Sequence, residues 1–409
     1  MSSILVTVCS VLIFAAAYKF YGSFVASRVF LSDPGRKLPS EELRDDIDYI
    51  PTSREVLFGH HFASIAGTGP IVGPAIAVIW GWVPALVWII AGSIIAGAVH
   101  DYAAMIISVR HRGMSIGEIS RELISPRVRI LFLFIILFAL WIVVAVFGMV
   151  MAVIFDMYPE SVLSVWLQIP LALAVGVLAY KKKFNMTVMS VIAVAAMYFS
   201  IFLGVLFPLK MPAVMGISPM GIWIVLLLIY AYAASVMPVW ALLQPRDYIN
   251  SHQLFIGLGV LLLGIFFSRP EIVAPAVRLS PAGAPPILPF LFITVACGAI
   301  SGFHALVGSG TSSKQVKNEN DIKFVGFGGM LTEGLLGVIV IIAVSAGIGL
   351  YVRSSGGEIL TGAAAWNHHY SGWGAAAGLT EKITAFVNGS ANMLKAIGIP
   401  VNFGQALVG

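Results

Sequence analysis

His60, His61, His100, Asp101, His304 and Glu333 each interrupt an apolar run of this 409-residue chain. Charge placed within hydrocarbon costs about 3 kcal/mol or more, so an ionisable residue in such a run is a functional candidate. A histidine can take up and release a proton near neutral pH, and a carboxylate beside it can pass that proton on. His61, Asp101, His304 and Glu333 are therefore the candidates for proton coupling. The competing reading is structural: a buried pair such as Asp101 and a histidine can simply lock two helices together. At helical rise, Asp101 would lie roughly 13 Å in from the end of its run near Arg110.

A second kind of signal is the interrupted helix. The segment Phe58–Pro74 carries Gly67, Gly69, Pro70, Gly73 and Pro74 inside an otherwise apolar stretch. Glycine costs a helix interior roughly 1 kcal/mol and proline about 3 kcal/mol. In a bilayer, a broken helix is tolerated only where protein or a water-filled cavity receives its unpaired backbone groups. Carriers use such breaks to hold substrates and ions. Gly67, Thr68, Gly69 and Gly73 are thus candidate substrate-binding residues through their N–H groups. The alternative is a kinked helix packed closely through its glycines. A second interruption surrounds Pro238 in Tyr230–Trp240, with Ser235 and Met237 as the opposite wall of the substrate site. The third, Ala296–Ser313, is dense in small residues and hydroxyls. Thr311 and Ser312, with carbonyls of Ala66 and Gly69, are candidate oxygen ligands for sodium. Close helix packing also favours small residues here.

The signatures of soluble enzymes are absent. Gly326–Gly329 has the wrong spacing for a dinucleotide fingerprint, and there is no phosphate-binding loop. His60-His61 and His368-His369 are adjacent pairs rather than metal ligands at helical spacing. Gly308-Ser309-Gly310 is not a nucleophile elbow. Cys9 and Cys297 have no paired spacing. The expectation is a protein that is not an enzyme and carries no cofactor, with H+ or Na+ as coupling ion.

The elements that must position these residues are membrane helices. Charged residues form 11% of the chain and hydrophobic ones 59%, against about a quarter charged in an ordinary soluble domain. The apolar runs place spans at 3–27, 60–80, 83–109, 129–155, 162–180, 186–207, 219–243, 252–268, 289–310 and 324–350. A further span begins near Ile399. The first run lacks a basic flank and a cleavage site, so it reads as a retained helix. Arg28–Arg54, Arg110–Arg129, Lys181–Lys183, Arg246 and Lys314–Lys323 fall in alternate loops. That excess places those loops in the cytoplasm and the N-terminus outside. The net charge of +5 thereby belongs to a membrane topology, and no nucleic-acid partner is expected. Residues 115–123 read as an interfacial helix, and 359–398 as a re-entrant or external helical segment.

The runs "PTSREVLFGHHFASIAGTGPIVGPAIA", "AGAVHDY", "PVWALLQPRDYI" and "ACGAISGFHALVGSGTSSK" resemble the carbon starvation protein A family. The resemblance implies inner-membrane carriers linked to peptide uptake in starvation, with a branch carrying pyruvate with protons. It also implies the amino acid–polyamine–organocation superfamily, hence an all-α, LeuT-type fold of two inverted five-helix repeats. On that mapping, residues 1–30 form an extra helix, 31–59 a cytoplasmic loop, 60–210 the first repeat and 219–409 the second. The paired broken helices would be 60–80 and 219–243. The fifth helix of the second repeat would start near Ile399, so the repeat is expected to be incomplete, with a C-terminal segment or a second chain as partner. The expected function is gradient-driven import of small peptides or pyruvate-like carboxylates. The alternatives are a channel or passive pore, or a non-transporting fragment.

Overall fold

The computed structural model describes residues 2–214, 216–238, 240–354 and 356–408, without the side chains of 180, 181, 186 and 187. Val239 of the second interrupted segment and the side chain of Lys181 in the basic run thus lie outside the described residues. In chain order the helices are α1 (Ser3–Val29), α2 (Arg54–Ile65), α3 (Gly69–Trp80), α4 (Trp82–Arg110), α5 (Ile116–Leu123), α6 (Pro126–Met157), α7 (Pro159–Ala179), α8 (Met186–Leu206), α9 (Pro219–Ser235) and α10 (Leu243–Ser268). Three short pieces follow, α11 (Ile287–Thr294), α12 (Ala296–Ile300) and α13 (Phe303–Gly308). The chain then forms α14 (Lys323–Leu350), α15 (Gly362–His369), α16 (Leu379–Lys395) and α17 (Val401–Val408). One small antiparallel hairpin joins Val352–Arg353 to Ile359–Leu360.

Among the described residues, seven helices are long and apolar enough to cross a bilayer, and the α2–α3 pair, bent by 50°, makes an eighth. Two helices of similar composition show what solvent they require. The apolar window of α14 is 83% buried, whereas that of α6 is 0% buried. The outward side chains of α6, including Ile130, Phe134, Ile135, Trp141 and Ile142, are uncovered among the described residues, and so apolar a face calls for lipid or further protein rather than water. The molecule is an all-α, multi-pass membrane protein. Hydroxyls within α1 are neutralised locally: Thr7 donates to Ser3 O at 2.8 Å and Ser10 to Val6 O at 2.7 Å, the usual way for such residues to sit inside a helix.

Two spans differ from expectation. The segment 219–243 is interrupted at Pro238 as expected, but among the described residues no second half-helix follows within it. Its helix ends at Ser235, and after a turn the chain starts α10 at Leu243 rather than 252. Pro238 cannot continue a helix, while Pro245 sits in the first turn of α10, where no N–H is needed. The span 289–310 is interrupted as well, and over 287–308 it divides into α11, α12 and α13. The segment 359–398 supplies α16, a packed helix whose Phe386, Val387, Gly389 and Leu394 are buried.

The loops read as basic gather at one end. Arg110 binds Glu319 at 2.8 Å and the carbonyl of Phe30 at 2.8 Å. Thr52 N–H donates to Gln315 O, Lys314 pairs with Asp48, and Gln244 donates to Thr52 and Gln315. At the other end, Ser2 bridges to Glu271, and Trp80 Nε1–H donates to Pro285 O.

Glycines set the closest crossings. A Cβ on Gly389 would lie 2.2 Å from Ala343 O, and one on Gly347 would lie 2.3 Å from Gly389 O. This contact seats α16 on α14, and Asn392 Nδ2 then donates to the carbonyls of Gly347 and Tyr351 at 3.1 and 2.7 Å. We expect Gly389→Ala to destabilise the detergent-solubilised protein by about 1–3 kcal/mol through overpacking. Gly259→Ala, with nothing within 4 Å, should be neutral or stabilising by about 1 kcal/mol. Thermal unfolding of both variants checks the contrast.

Candidate functional site

The break between α2 and α3 is built by three residues. Ala66 leaves the helix at φ −74°, ψ 61°, Gly67 N–H bonds to Ile65 O at 2.8 Å, and Thr68 O accepts the first N–H groups of the next turn. Pro70 then sits where α3 has no use for an N–H. The glycines beyond the break serve close approach. A Cβ on Gly69 would strike Cys297, one on Gly73 would strike Thr294 O, and one on Gly298 would press on Pro70. Gly67 faces the ring of Phe147 from α6. The interrupted segment 287–308 therefore crosses the broken span at its break, and it runs in the opposite sense, from the end at Pro285 towards Ser312.

Of the residues expected to line a substrate site, Gly67, Thr68, Gly69 and Gly73 are gathered at this crossing. Gly69 and Gly73 turn their Cα faces to neighbouring protein. Ser235 and Met237 do not face them. Ser235 is exposed and donates to Tyr232 O, and Met237 packs with Tyr198 and Tyr230 in a separate apolar cluster about α7, α8 and α10. The sodium candidates divide in the same way. Gly69 lies on Cys297, whereas Ser312 Oγ is 3.0 Å from His61 Nδ1. The hydroxyl that follows Ser312 is engaged as well, Ser313 accepting from Ser108 at 2.8 Å. Among the described residues, no group of three or more His, Cys, Asp or Glu is arranged to hold a metal ion.

The proton-coupling candidates do converge. His304 Nδ1 is 2.7 Å from Asp101 Oδ2, and His304 Nε2 is 3.0 Å from Glu333 Oε2, with all three side chains 0% exposed. The Glu333 contact lies off the line of a good hydrogen bond, so it is an ion-pair contact. Asp101 is also met by His100 Nδ1 at 3.0 Å. His61 stands beside the group, within electrostatic range of Asp101 and His304. Three elements, α4, α13 and α14, contribute one member each. They come close enough because Gly326 packs on the backbone of Asp101, Gly97 on Ala299 O and Gly334 on Ser93. Two carboxylates and one imidazole balance their charge internally when they share two protons, which low-dielectric burial favours. His100 leads outward, because it lines a cavity of 590 Å³ between α4, α6 and α13 with Phe132, Ile136 and Phe303.

A second buried network was not singled out from the sequence. His60 Nδ1 is 2.8 Å from Asp247 Oδ2, while Arg246 donates through Nε and Nη2 to Asp247 Oδ1 at 3.0 and 2.8 Å and through Nη1 to Tyr230 at 2.9 Å. Arg246 reads as a loop residue when the span is drawn to 243. The available signal was Pro245 followed by two opposite charges, the pattern of a helix first turn.

The carbon starvation protein CstA family model matches residues 2–403. The chain belongs to this family. It is 37% identical over 357 residues to a peptide transporter CstA of Bacillus subtilis (85% of this chain, 58% of the relative). It is 36% identical over 348 residues to a peptide transporter CstA of Escherichia coli (83% and 49%). It is 37% identical over 357 residues to the pyruvate/proton symporter BtsT of Escherichia coli (84% and 49%). These named relatives are transporters, not enzymes, and the chain spans about half their length. No solved structure matches.

Removing one member of a buried ion pair leaves the other uncompensated. Asp101→Ala should cost about 3–5 kcal/mol of folding stability, read as a lowered unfolding midpoint in detergent. Thr311→Ala, at a half-buried hydroxyl, should stay within about 0.5 kcal/mol.

Proposed function

We propose that this chain forms the transport core of a secondary carrier that imports small peptides or pyruvate-like carboxylates by alternating access, driven by protons. The observation that carries this reading is the buried Asp101–His304–Glu333 chain beside the broken span. A titratable group sealed from water, tied to elements from three parts of the sequence and linked through His100 to a cavity, is suited to alternate between protonation states as its neighbours move. The names of the relatives, peptide transporter and pyruvate/proton symporter, support the same substrate classes.

The LeuT-type element in this proposal is the pair of oppositely running interrupted spans, α2–α3 and α11–α13. Rocking of one against the other would expose the break alternately to each side. On this placement the span paired with α2–α3 is 287–308 rather than 219–243, so the five-helix boundaries 60–210 and 219–409 are not retained. The end holding Arg110, Lys314 and Arg246 would face the cytoplasm of a cell inner membrane, with the N-terminus outside. Sodium coupling through Thr311 and Ser312 is the weaker variant, because Ser312 is already engaged by His61.

Proteoliposomes test the proposal. Labelled pyruvate or dipeptide should accumulate under an imposed pH gradient and not under a sodium gradient alone. Glu333→Gln and His304→Gln should lower gradient-driven accumulation roughly tenfold or more, a loss of about 1.4 kcal/mol in driving the coupled step, while solute exchange at equal pH persists. Wild-type rates of accumulation in both variants would remove this network from coupling.

A further inference from the structure

Between α6, α7, α9 and α10 lies a cavity of 170 Å³, apart from the Asp101 network. Its polar wall is Arg246, Tyr230, Asn250 and Gln168, and its apolar wall includes Trp166 and Leu227. We propose that this cavity binds a small monocarboxylate, with Arg246 as the residue that holds the carboxylate. This identification rests on the carrier reading above and assigns the substrate a place in the chain.

The donor inventory fits an anion. The described bonds of Arg246 occupy Nε–H, one hydrogen of Nη2 and one of Nη1, and each Nη carries another. Tyr230 accepts from Arg246 Nη1, so its own O–H is left to donate into the cavity. Gln168 Nε2 donates to Asn250 Oδ1, which leaves the Asn250 amide hydrogens as further donors. Arg246 and Asp247 form a formally neutral pair, so the site offers an anion hydrogen-bond donors rather than a net positive charge. A singly charged anion costs less to desolvate in such a site than a doubly charged one, which favours a monocarboxylate over phosphate. Space agrees, because 170 Å³ holds about six water-sized groups at ~30 Å³ each, the scale of a three-carbon oxo acid. The apolar wall receives a methyl group.

The position also explains how occupancy would be felt. Asp247 is shared between Arg246, at the cavity, and His60, in the first half of the broken span. A carboxylate that competes for the guanidinium shifts Asp247 towards His60, so binding acts on α2 through one side chain.

Equilibrium binding of labelled pyruvate to the purified full chain, with transport measured in parallel, tests this. Wild type should bind saturably, lactate should compete, and uncharged pyruvamide should not. Arg246→Gln should weaken binding roughly a hundredfold, and Arg246→Lys less, because the charge remains while the fork is lost. Gln168→Glu, which places a like charge in the cavity while leaving the Arg246–Asp247 pair intact, should weaken binding roughly tenfold. It carries the test if Arg246→Gln does not fold. Unchanged pyruvate affinity in Gln168→Glu together with either unchanged affinity or misfolding of Arg246→Gln overturns the site, and pH-driven uptake by wild type would still uphold the carrier. Saturable, Arg246-dependent binding without any uptake upholds the site and overturns the carrier. A wild-type chain that binds dipeptide but not pyruvate overturns the site.

Discussion

A charge placed in the apolar interior needs a counter-charge, and where that partner lies on another helix the pairing organises the molecule. Asp101, His304 and Glu333 belong to α4, α13 and α14 and meet within 3.0 Å or less. His60 and Asp247 do the same for α2 and α10. These contacts act as fixed points in a bundle whose other surfaces are nearly uniform in chemistry. Lipid cannot drive helices of similar hydrophobicity together, so polar contacts and close packing must define which helix lies against which. Small residues make the polar contacts reachable: Gly97, Gly326 and Gly334 remove the side chains that would hold α4, α12 and α14 apart.

The two networks lie on either side of α2. His61 faces the Asp101 group and Ser312, while the preceding residue, His60, faces Asp247 and through it Arg246. Adjacent residues on a helix point about 100° apart, so one dipeptide touches both neighbourhoods. The first half of the broken span therefore connects the buried Asp101–His304–Glu333 cluster with a guanidinium-lined cavity. A short displacement of α2 would disturb both at once, which is the physical requirement for linking two gradients.

Much of this architecture was legible in the sequence. Hydropathy and loop charge placed most spans and grouped the basic loops that the structure gathers at one end. The break at Gly67–Pro70 followed from residue type alone. The convergence of Asp101, His304 and Glu333 followed only in the sense that buried charges need partners; which partner each finds depends on glycine contacts between remote segments. Pro238 marks a real interruption of 219–243, but hydropathy continues to Leu243 and stops short of Arg246 and Asp247, so the apolar run alone does not show that they belong to the next helix. The backbone ended the helix at Ser235 and used Pro245 to begin the next one. Gly69 and Gly73 were read for their N–H groups, but the same substitution pattern satisfies a close crossing, and spacing cannot separate the two.

The unequal surroundings of α6 and α14 have a consequence for how this chain drifts over time. Both helices are apolar along their length, yet one is sheathed by protein and the other is bathed in lipid. On α6 a leucine, isoleucine or phenylalanine fills the same role, since fluid acyl chains adapt to any of them. On α14 each side chain meets a fixed neighbour and a change of one methylene is felt. Two stretches that are both apolar enough to span a bilayer should therefore accumulate substitutions at different speeds, with α6 as the fast clock of the chain and α14 as the slow one.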